Sequence, residues 1–394
     1  MGFQTNRAIG HVEAPPIAEA LTWVKSGERN RPLIDLCQAL PKYPPALEVA
    51  QEIGRLALEE PTNLYTDIFG LPELRSGLAA HMAADYRGDV EAADVAITPG
   101  CNQAFAAAAM VLAGPGDNVV LPVPFYFNHD MWLRMLNIEP RYVQAIADGS
   151  AVPRPEAVVP LIDRNTRAIA LCTPNNPTGA VYPPDIIRHF YEIARDHGIA
   201  LLMDETYKDF RTDSSVPHGL FADEGWRDTL VQLYSFSKSY ALYGYRVGSI
   251  IAGPRFLAEL EKVLDCLIIC APRISQGAAL FSLENAGAWK AGKLKTMRGR
   301  VSALEAAFTR PDLRYRLVSV GAFFAYLEHP FKGESAKSVA RRLAGEHDLL
   351  CLPGSMFGPD QDSYLRLAFA NAGTEIMPEV IDRLLESQGE GGAA

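Results

Sequence analysis

The segment Ile199-Ala-Leu-Leu-Met203 carries no polar side chain and is followed at once by Asp204. A strand with one wet face alternates apolar and polar residues. A run that is apolar at every position needs cover on both faces. Near-continuous apolar runs recur along the chain: Val95-Ala-Ile-Thr98, Asn118 to Val123, Arg167 to Cys172, Leu230 to Tyr234 and Val247 to Ala252 read as further strands. Helical spacing fills stretches before and between them. It covers Ala46 to Leu58, a second helix with Leu74, Leu78 and Met82, the alanine-rich Gln103 to Leu112, and Pro184 to His197 with Ile186, Ile187, Phe190 and Ile193 on one face. Pro184 near the start of the last helix and Gly198 beyond it are the punctuation a helix needs. Covered strands alternating with helices imply an α/β fold, a mainly parallel sheet sandwiched by helices.

The pattern loosens after about Gly287. Met297 to Phe308 reads as helix, Gly321 to Leu327 and Tyr364 to Phe369 as exposed antiparallel strands, and Glu375 to Glu386 as a last helix with Thr374 as its N-cap. The first 30 or so residues read as irregular, and Gly389 to Ala394 as a frayed tail. The expected organisation is a large α/β domain over 45–285 and a smaller α+β domain built from 1–44 plus 286–394.

Composition narrows the function. The chain has 394 residues, 48% apolar, enough for a full core without disulfide or metal staples. Its 37 basic and 47 acidic residues give a net charge of −10, which argues against a nucleic-acid binder or a basic membrane-surface protein. The longest apolar run, Ala104 to Gly114, is too short to span a bilayer. The N-terminus lacks the apolar stretch of a signal peptide. Six scattered cysteines form no C-x-x-C pair, and Cys266 and Cys270 read as one core-facing helix face. None of the eight histidines has metal-ligand spacing. A cytoplasmic protein with no metal is expected.

In an open α/β sheet, ligands bind beyond the carboxyl ends of the strands. Those ends carry Pro99-Gly100-Cys101-Asn102 at a helix start, Asn175-Asn176-Pro177, Asp204 with Tyr207 three residues on, and Ser235-Phe236-Ser237-Lys238; Arg246 precedes the strand from Val247. One acid, one lysine, one arginine, a phenol, hydroxyls, amides and free backbone N–H groups suit one ligand, pyridoxal phosphate. Gly100, Cys101 and Asn102 would offer N–H groups to the phosphate, Ser235 and Ser237 hydroxyls, and Arg246 a two-pronged cation. Asp204 would keep the pyridine nitrogen protonated, so that the ring acts as an electron sink. Asn176 and Tyr207 would donate to the phenolic oxygen. Lys238 would form the Schiff base and then carry a proton between carbon atoms.

The stretches Thr173-Pro-Asn-Asn-Pro-Thr-Gly179, Asp204-Glu-Thr-Tyr207, and Ser235-Phe-Ser-Lys238-Ser-Tyr with Gly244-Tyr-Arg246-Val-Gly248 resemble the class I/II aminotransferases, fold-type I pyridoxal-phosphate enzymes of the aspartate aminotransferase superfamily. The spacings agree: three residues from Asp204 to Tyr207, 34 to Lys238, and eight from Lys238 to Arg246. The similarity extends to Tyr65 with Gly70 and Leu74-Arg75, to the Thr98-Pro-Gly-Cys-Asn-Gln103 turn, and to Tyr364-Leu-Arg366-Leu-Ala-Phe-Ala370, nearly the whole chain. The resemblance implies a seven-stranded sheet and a homodimer with the active site at the subunit interface. It implies ping-pong transfer of an amino group from an L-amino acid to a 2-oxo acid. Arg366 would clamp the substrate carboxylate, with Asn176 touching it. Tyr126 would stack on the pyridine ring, and Tyr65 would reach the phosphate of the neighbouring subunit. Two departures stand out. Ala39-Leu40 replaces a glycine common among relatives, which narrows the pocket mouth but leaves a backbone N–H for the carboxylate. Cys101 takes a phosphate-cup position where small or hydroxylated residues are usual.

Rival readings are weaker. Ser235-Phe-Ser-Lys238 also fits the S-x-x-K of penicillin-binding proteins, but the S-D-N and K-T-G elements are missing. Neither a dinucleotide nor a P-loop fingerprint occurs. A regulator of the same fold would carry a DNA-binding helix pair in front, and the residues before Ala46 are neither basic nor periodic. The alternative with the same motifs is a pyridoxal-phosphate C–S β-lyase. Substrate side-chain specificity stays open: the resemblance implies that dicarboxylate enzymes use an extra arginine contributed by the partner subunit, for which Arg29, Arg31 and Arg273 are candidates, whereas Tyr65, Tyr126, Phe127 and Leu40 suit a neutral or aromatic group.

Overall fold

The computed structural model describes residues 2–24, 31–147, 149–213 and 215–389. Seven strands form the central sheet in the order Val95–Thr98, Gly248–Ile251, Leu230–Ser235, Ala200–Asp204, Thr166–Cys172, Asn118–Val123 and Glu139–Gln144. Gly248–Ile251 runs antiparallel to both neighbours and the other pairs are parallel. Every residue of Val95–Thr98, Asn118–Val123, Leu230–Ser235 and Gly248–Ile251 is buried, as the apolar runs demand. Each fully buried leucine in such strands contributes about 2 kcal/mol.

One sheet strand has no apolar run. Glu139–Gln144 reads Glu-Pro-Arg-Tyr-Val-Gln and is only partly buried. It lies at the sheet edge with one neighbour, where a proline and charges are tolerated. Helices cover the faces. Cys101–Leu112 is buried on nearly all sides because Pro254–Ile268 packs over it, with Leu257, Leu260 and Leu264 against Ala104, Phe105 and Ala108. Pro184–Asp196 seats Ile187, Phe190 and Ile193 on the other face.

A second sheet is antiparallel, in the order Leu352–Pro353, Tyr364–Ala368, Phe324–Glu328 and Arg316–Gly321. The expected strand 321–327 is therefore a hairpin turn plus part of two strands, and neither Phe324–Glu328 nor Tyr364–Ala368 is exposed. Their apolar positions Ala325, Leu327, Leu365 and Leu367 pack against a helix layer that includes Ala336–Glu346 and Met377–Gly389, while the paired Tyr326 and Arg366 are buried on the opposite face. The N-terminal segment joins this unit: Ile34–Asp35 pairs in parallel with Leu349–Leu350, and the Ala368 N–H donates to the Leu36 carbonyl at 2.7 Å.

Other expectations need correcting. The first residues are not wholly irregular: Arg7–Gly10 and Pro16–Leu21 are helical, too short to show a period. Thr374 is not the cap of the last helix. It opens a single 3₁₀ turn, Thr374–Ile376, behind Gly373, and the helix proper is Met377–Gly389. Cys266 is exposed, and Cys270 lies past the end of its helix, where Ile269 turns at φ +68°, so the two share no core face. The tail beyond Gly389 lies outside the described residues, within which no helix is long and apolar enough to cross a membrane.

Candidate active site

The register aligns the carboxyl ends: Asp204 sits level with Cys172 on one side and Leu233 on the other, and Ser235 level with Gly248, which is level with Thr98. Beyond these ends, against Arg366 of the second sheet, lies a cavity of about 390 Å³. Ala39, Leu40, Cys101, Asn102, Tyr126, Asn176, Asp204, Tyr207, Ser235, Ser237, Lys238, Arg246 and Arg366 all line it. Gly100 and Tyr65 do not. Gly100 is the residue before the helix Cys101–Leu112, and Tyr65 is 74% exposed elsewhere on the surface.

Asp204 is the buried acid. Its Oδ2 meets His129 Nε2 at 3.0 Å, while Oδ1 accepts from the Thr206 N–H at 3.0 Å and the Cys101 thiol at 3.5 Å. Burial alone would raise this carboxyl; the hydrogen bond and charge of His129, with Thr206, outweigh it and hold Asp204 below the usual carboxylate range. His129 escaped the sequence reading. It lies on Phe127–Met135, its ring stacked on Phe105 at 3.9 Å. Nothing local marks it, because Asp204 is on a strand two places away in the sheet.

Lys238 sits on a one-turn helix, Phe236–Ser239, that follows its strand, and donates from Nζ to the Ala39 carbonyl at 2.8 Å. Burial, and then the charges of Arg246 and Arg366, push its amine down to about 8. Tyr207 is buried nearby, its ring 5.9 Å from Lys238 Nζ, and burial pushes the phenol up, so it stays a donor.

Two glycines shape a cradle at the other end. Gly100 has φ +84°, and a Cβ there would strike the Arg246 guanidinium. A Cβ on Gly248 would lie 2.9 Å from the Cys101 N–H nitrogen and 2.7 Å from the Tyr234 carbonyl. Arg246 donates to the Tyr243 carbonyl at 2.9 Å and lies 3.5 Å from Ser237 Oγ; Ser235 Oγ caps the Lys238 turn by accepting from the Ser237 N–H at 3.2 Å.

Arg366, on the strand Tyr364–Ala368, donates to Asn176 Oδ1 at 3.3 Å and to the Cys37 carbonyl. Its Nε is buried and has no partner among the described residues. Tyr126 accepts from Asn128 Nδ2 at 3.0 Å, and the same amide reaches Asn102 Oδ1 at 3.2 Å. The sequence reading also missed Ile17, Gln38, Thr206 and Tyr243 in the lining. Ile17 arrives on the short helix Pro16–Leu21, whose period is invisible at that length. Of the arginines considered for a second carboxylate, Arg31 is bound to Glu386 at 2.6 Å, Arg273 starts the helix Arg273–Asn285 outside the cavity lining, and Arg29 lies outside the described residues.

The family model for aminotransferase class I and II matches residues 31–384. The chain belongs to that family. This transaminase is 28% identical to an aspartate aminotransferase of Thermotoga maritima, over 93% of each chain. It is 27% identical to the aromatic aminotransferase ISS1 of Arabidopsis thaliana, over 93% of this chain and 92% of that one. The solved structure of a Thermotoga maritima aspartate aminotransferase superposes on the transaminase with a TM-score of 0.88 at 26% identity, covering 98% of this chain and 100% of the other.

Proposed function

We propose that the chain is a pyridoxal-phosphate-dependent aminotransferase that moves an amino group from an L-amino acid to a 2-oxo acid in two half-reactions at one site. The observation that carries this is the company Lys238 keeps. A lysine with its amine lowered to about 8 shares a cavity with a buried carboxylate and two separate guanidinium groups. The residues fit the cofactor. The helix start at Cys101 and Asn102, with Ser235, Ser237 and an Arg246 guanidinium that a Cβ at Gly100 would displace, suits a phosphate. Asp204, ionised through His129, suits a protonated ring nitrogen. Bound there, the cofactor supplies an electron sink for the pair left at the substrate Cα.

The chain's own groups do the rest. Arg366 binds and orients the substrate carboxylate with its free Nε edge. The unprotonated fraction of Lys238 near neutral pH takes the Cα proton and returns it to carbon. Tyr207, its ring 5.9 Å from Lys238 Nζ, would donate to the phenolic oxygen of the cofactor. The apolar lining residues Ile17, Leu40 and Phe127 favour a neutral or aromatic side chain on the donor.

Tyr65, exposed among Leu58 and Leu64, which are also exposed, supports a homodimer in which it serves the neighbouring site. The division into 45–285 and 1–44 plus 286–394 is supported by an apolar cluster that gathers Ile34 and Leu36 with Leu343, Leu365 and Leu384. Free cysteines throughout suit the cytoplasm.

A panel of amino donors with 2-oxoglutarate or pyruvate tests the reading. Keto-acid formation should depend strictly on the added acceptor and vanish in Lys238→Ala. Pyruvate and ammonia released from a cysteine conjugate with no acceptor would replace it with the C–S β-lyase.

A further inference from the structure

We propose that Asp209 is a positioning residue for catalysis: through Ser239 it fixes the one-turn helix that presents Lys238 to the cavity. This rests on the reading of Lys238 as the reactive lysine and adds a residue that lies outside the cavity lining.

Phe236–Ser239 has only four residues. A single turn fixes many dihedrals for few hydrogen bonds and does not persist unaided. Its start is capped by Ser235. Its end runs into a loop where Ala241 and Arg246 adopt φ +57° and +53°, left-handed values that non-glycine residues rarely take. Ser239, the residue after Lys238, donates from Oγ to Asp209 Oδ2 at 2.5 Å. Asp209 lies two residues past Tyr207, in the 3₁₀ turn Lys208–Phe210. One carboxylate therefore ties the Tyr207 segment to the Lys238 turn.

Asp209 is itself held from every side. Tyr234 donates to its Oδ2 at 3.0 Å, Lys208 Nζ lies 3.1 Å and Lys290 Nζ 3.6 Å from Oδ1. Lys208 also meets Asp85 at 2.5 Å, and His81 approaches that same Asp85 oxygen at 3.3 Å. Burial would raise the Asp209 carboxyl; the two lysines outweigh it and keep the group ionised. His81, Asp85 and Asp209 stand close enough together to hold a cation, but the Lys208 ammonium already lies between the two carboxylates. A charge so surrounded is a rigid anchor rather than a mobile one. It does not line the cavity, so its work is to place Lys238.

The holoenzyme carrying Ser239→Ala tests this, because that variant keeps the ion pairs of Asp209. We expect kcat to fall about tenfold while KM for the amino donor stays within about twofold. The pH midpoint of the cofactor's visible band should move by about half a unit as Lys238 shifts against Arg246 and Arg366. Ser239→Thr should restore both, and Ser239→Ala, which loses one buried hydrogen bond, should melt only a few degrees below wild type and Ser239→Thr. Asp209→Asn should reproduce the kcat loss at a lower melting temperature. Wild-type kcat and band midpoint in Ser239→Ala overturn the proposal. So does a Ser239→Thr protein no better than Ser239→Ala. Either result leaves the role of Lys238 standing; that reading falls separately if Lys238→Ala keeps the pH-dependent band.

Discussion

His129 Nε2 lies 3.0 Å from Asp204 Oδ2, and Phe105 stacks on the imidazole at an interplanar angle of 12°. The stack fixes the ring plane, and the ring fixes the carboxylate. His129→Phe keeps an aromatic against Phe105 and deletes the hydrogen bond. Asp204 then loses its strongest stabilising partner, and its carboxyl rises as burial dominates. Cofactor should still bind, kcat should fall about tenfold to a hundredfold, and the acid limb of the pH–rate profile should move to higher pH. A profile superposable on wild type would remove His129 from the catalytic apparatus.

Lys238 makes a stability prediction with a definite sign. An ordinary lysine titrates at 10.5, and this one near about 8. Between those values the unfolded chain binds a proton that the folded chain does not, so the cofactor-free protein gains stability as pH rises across that window. Below it, the buried charge is a constant cost. Lys238→Met removes the charge. Compared without cofactor, the variant should melt above wild type at neutral pH, and the gap should shrink from pH 8 toward 10.5. Calorimetry at a series of pH values checks this; a gap that widens with pH contradicts it.

What the sequence made legible follows from how each feature is encoded. The buried strands were readable because both faces are covered, so nearly every position is apolar. The strand ends then displayed Asp204, the Lys238 turn and Arg246 in chain order. Glu139–Gln144 was lost because an edge strand has no such run. His129 and Asp209 were lost for another reason: their partners are set by packing across the fold. His129 reaches Asp204 over an intervening strand, and Asp209 reaches a serine thirty residues away. No local pattern records such pairings.

Gly100 offers a test of the phosphate cradle. Its φ of +84° already strains any other residue, and an added Cβ would occupy the space of the Arg246 guanidinium. Arg246 cannot retreat freely, since its backbone is in the left-handed region and its NH1 is bound to the Tyr243 carbonyl. Gly100→Ala should weaken pyridoxal phosphate binding about tenfold or more, measured by equilibrium titration. Once saturated with cofactor, the variant should keep a KM for the amino donor close to wild type. Unchanged cofactor affinity would place the phosphate elsewhere.

Arg366, proposed as the carboxylate clamp, offers a test that separates substrate binding from cofactor binding. It is 2% exposed, sits between Tyr326 and Leu352 in the register of the second sheet, and its guanidinium lies over the Phe357 and Phe324 rings at 5.0 and 5.4 Å. Burial pushes it down to about 10, so it remains charged at neutral pH. Two of its nitrogens are engaged by Asn176 and Cys37, and the unpartnered Nε leaves a buried donor whose desolvation costs about 1–3 kcal/mol until an acceptor arrives. A carboxylate meets that need with two oxygens in the plane of the fork. Lys keeps the charge but presents a single point, and it cannot span Asn176, Cys37 and a substrate at once. Arg366→Lys should therefore lower kcat/KM for the amino donor about a hundredfold, mostly through KM, with cofactor affinity unchanged. Steady-state kinetics paired with cofactor titration decides the matter. A loss confined to kcat would mean that Arg366 acts on the reacting atoms and not as the carboxylate clamp.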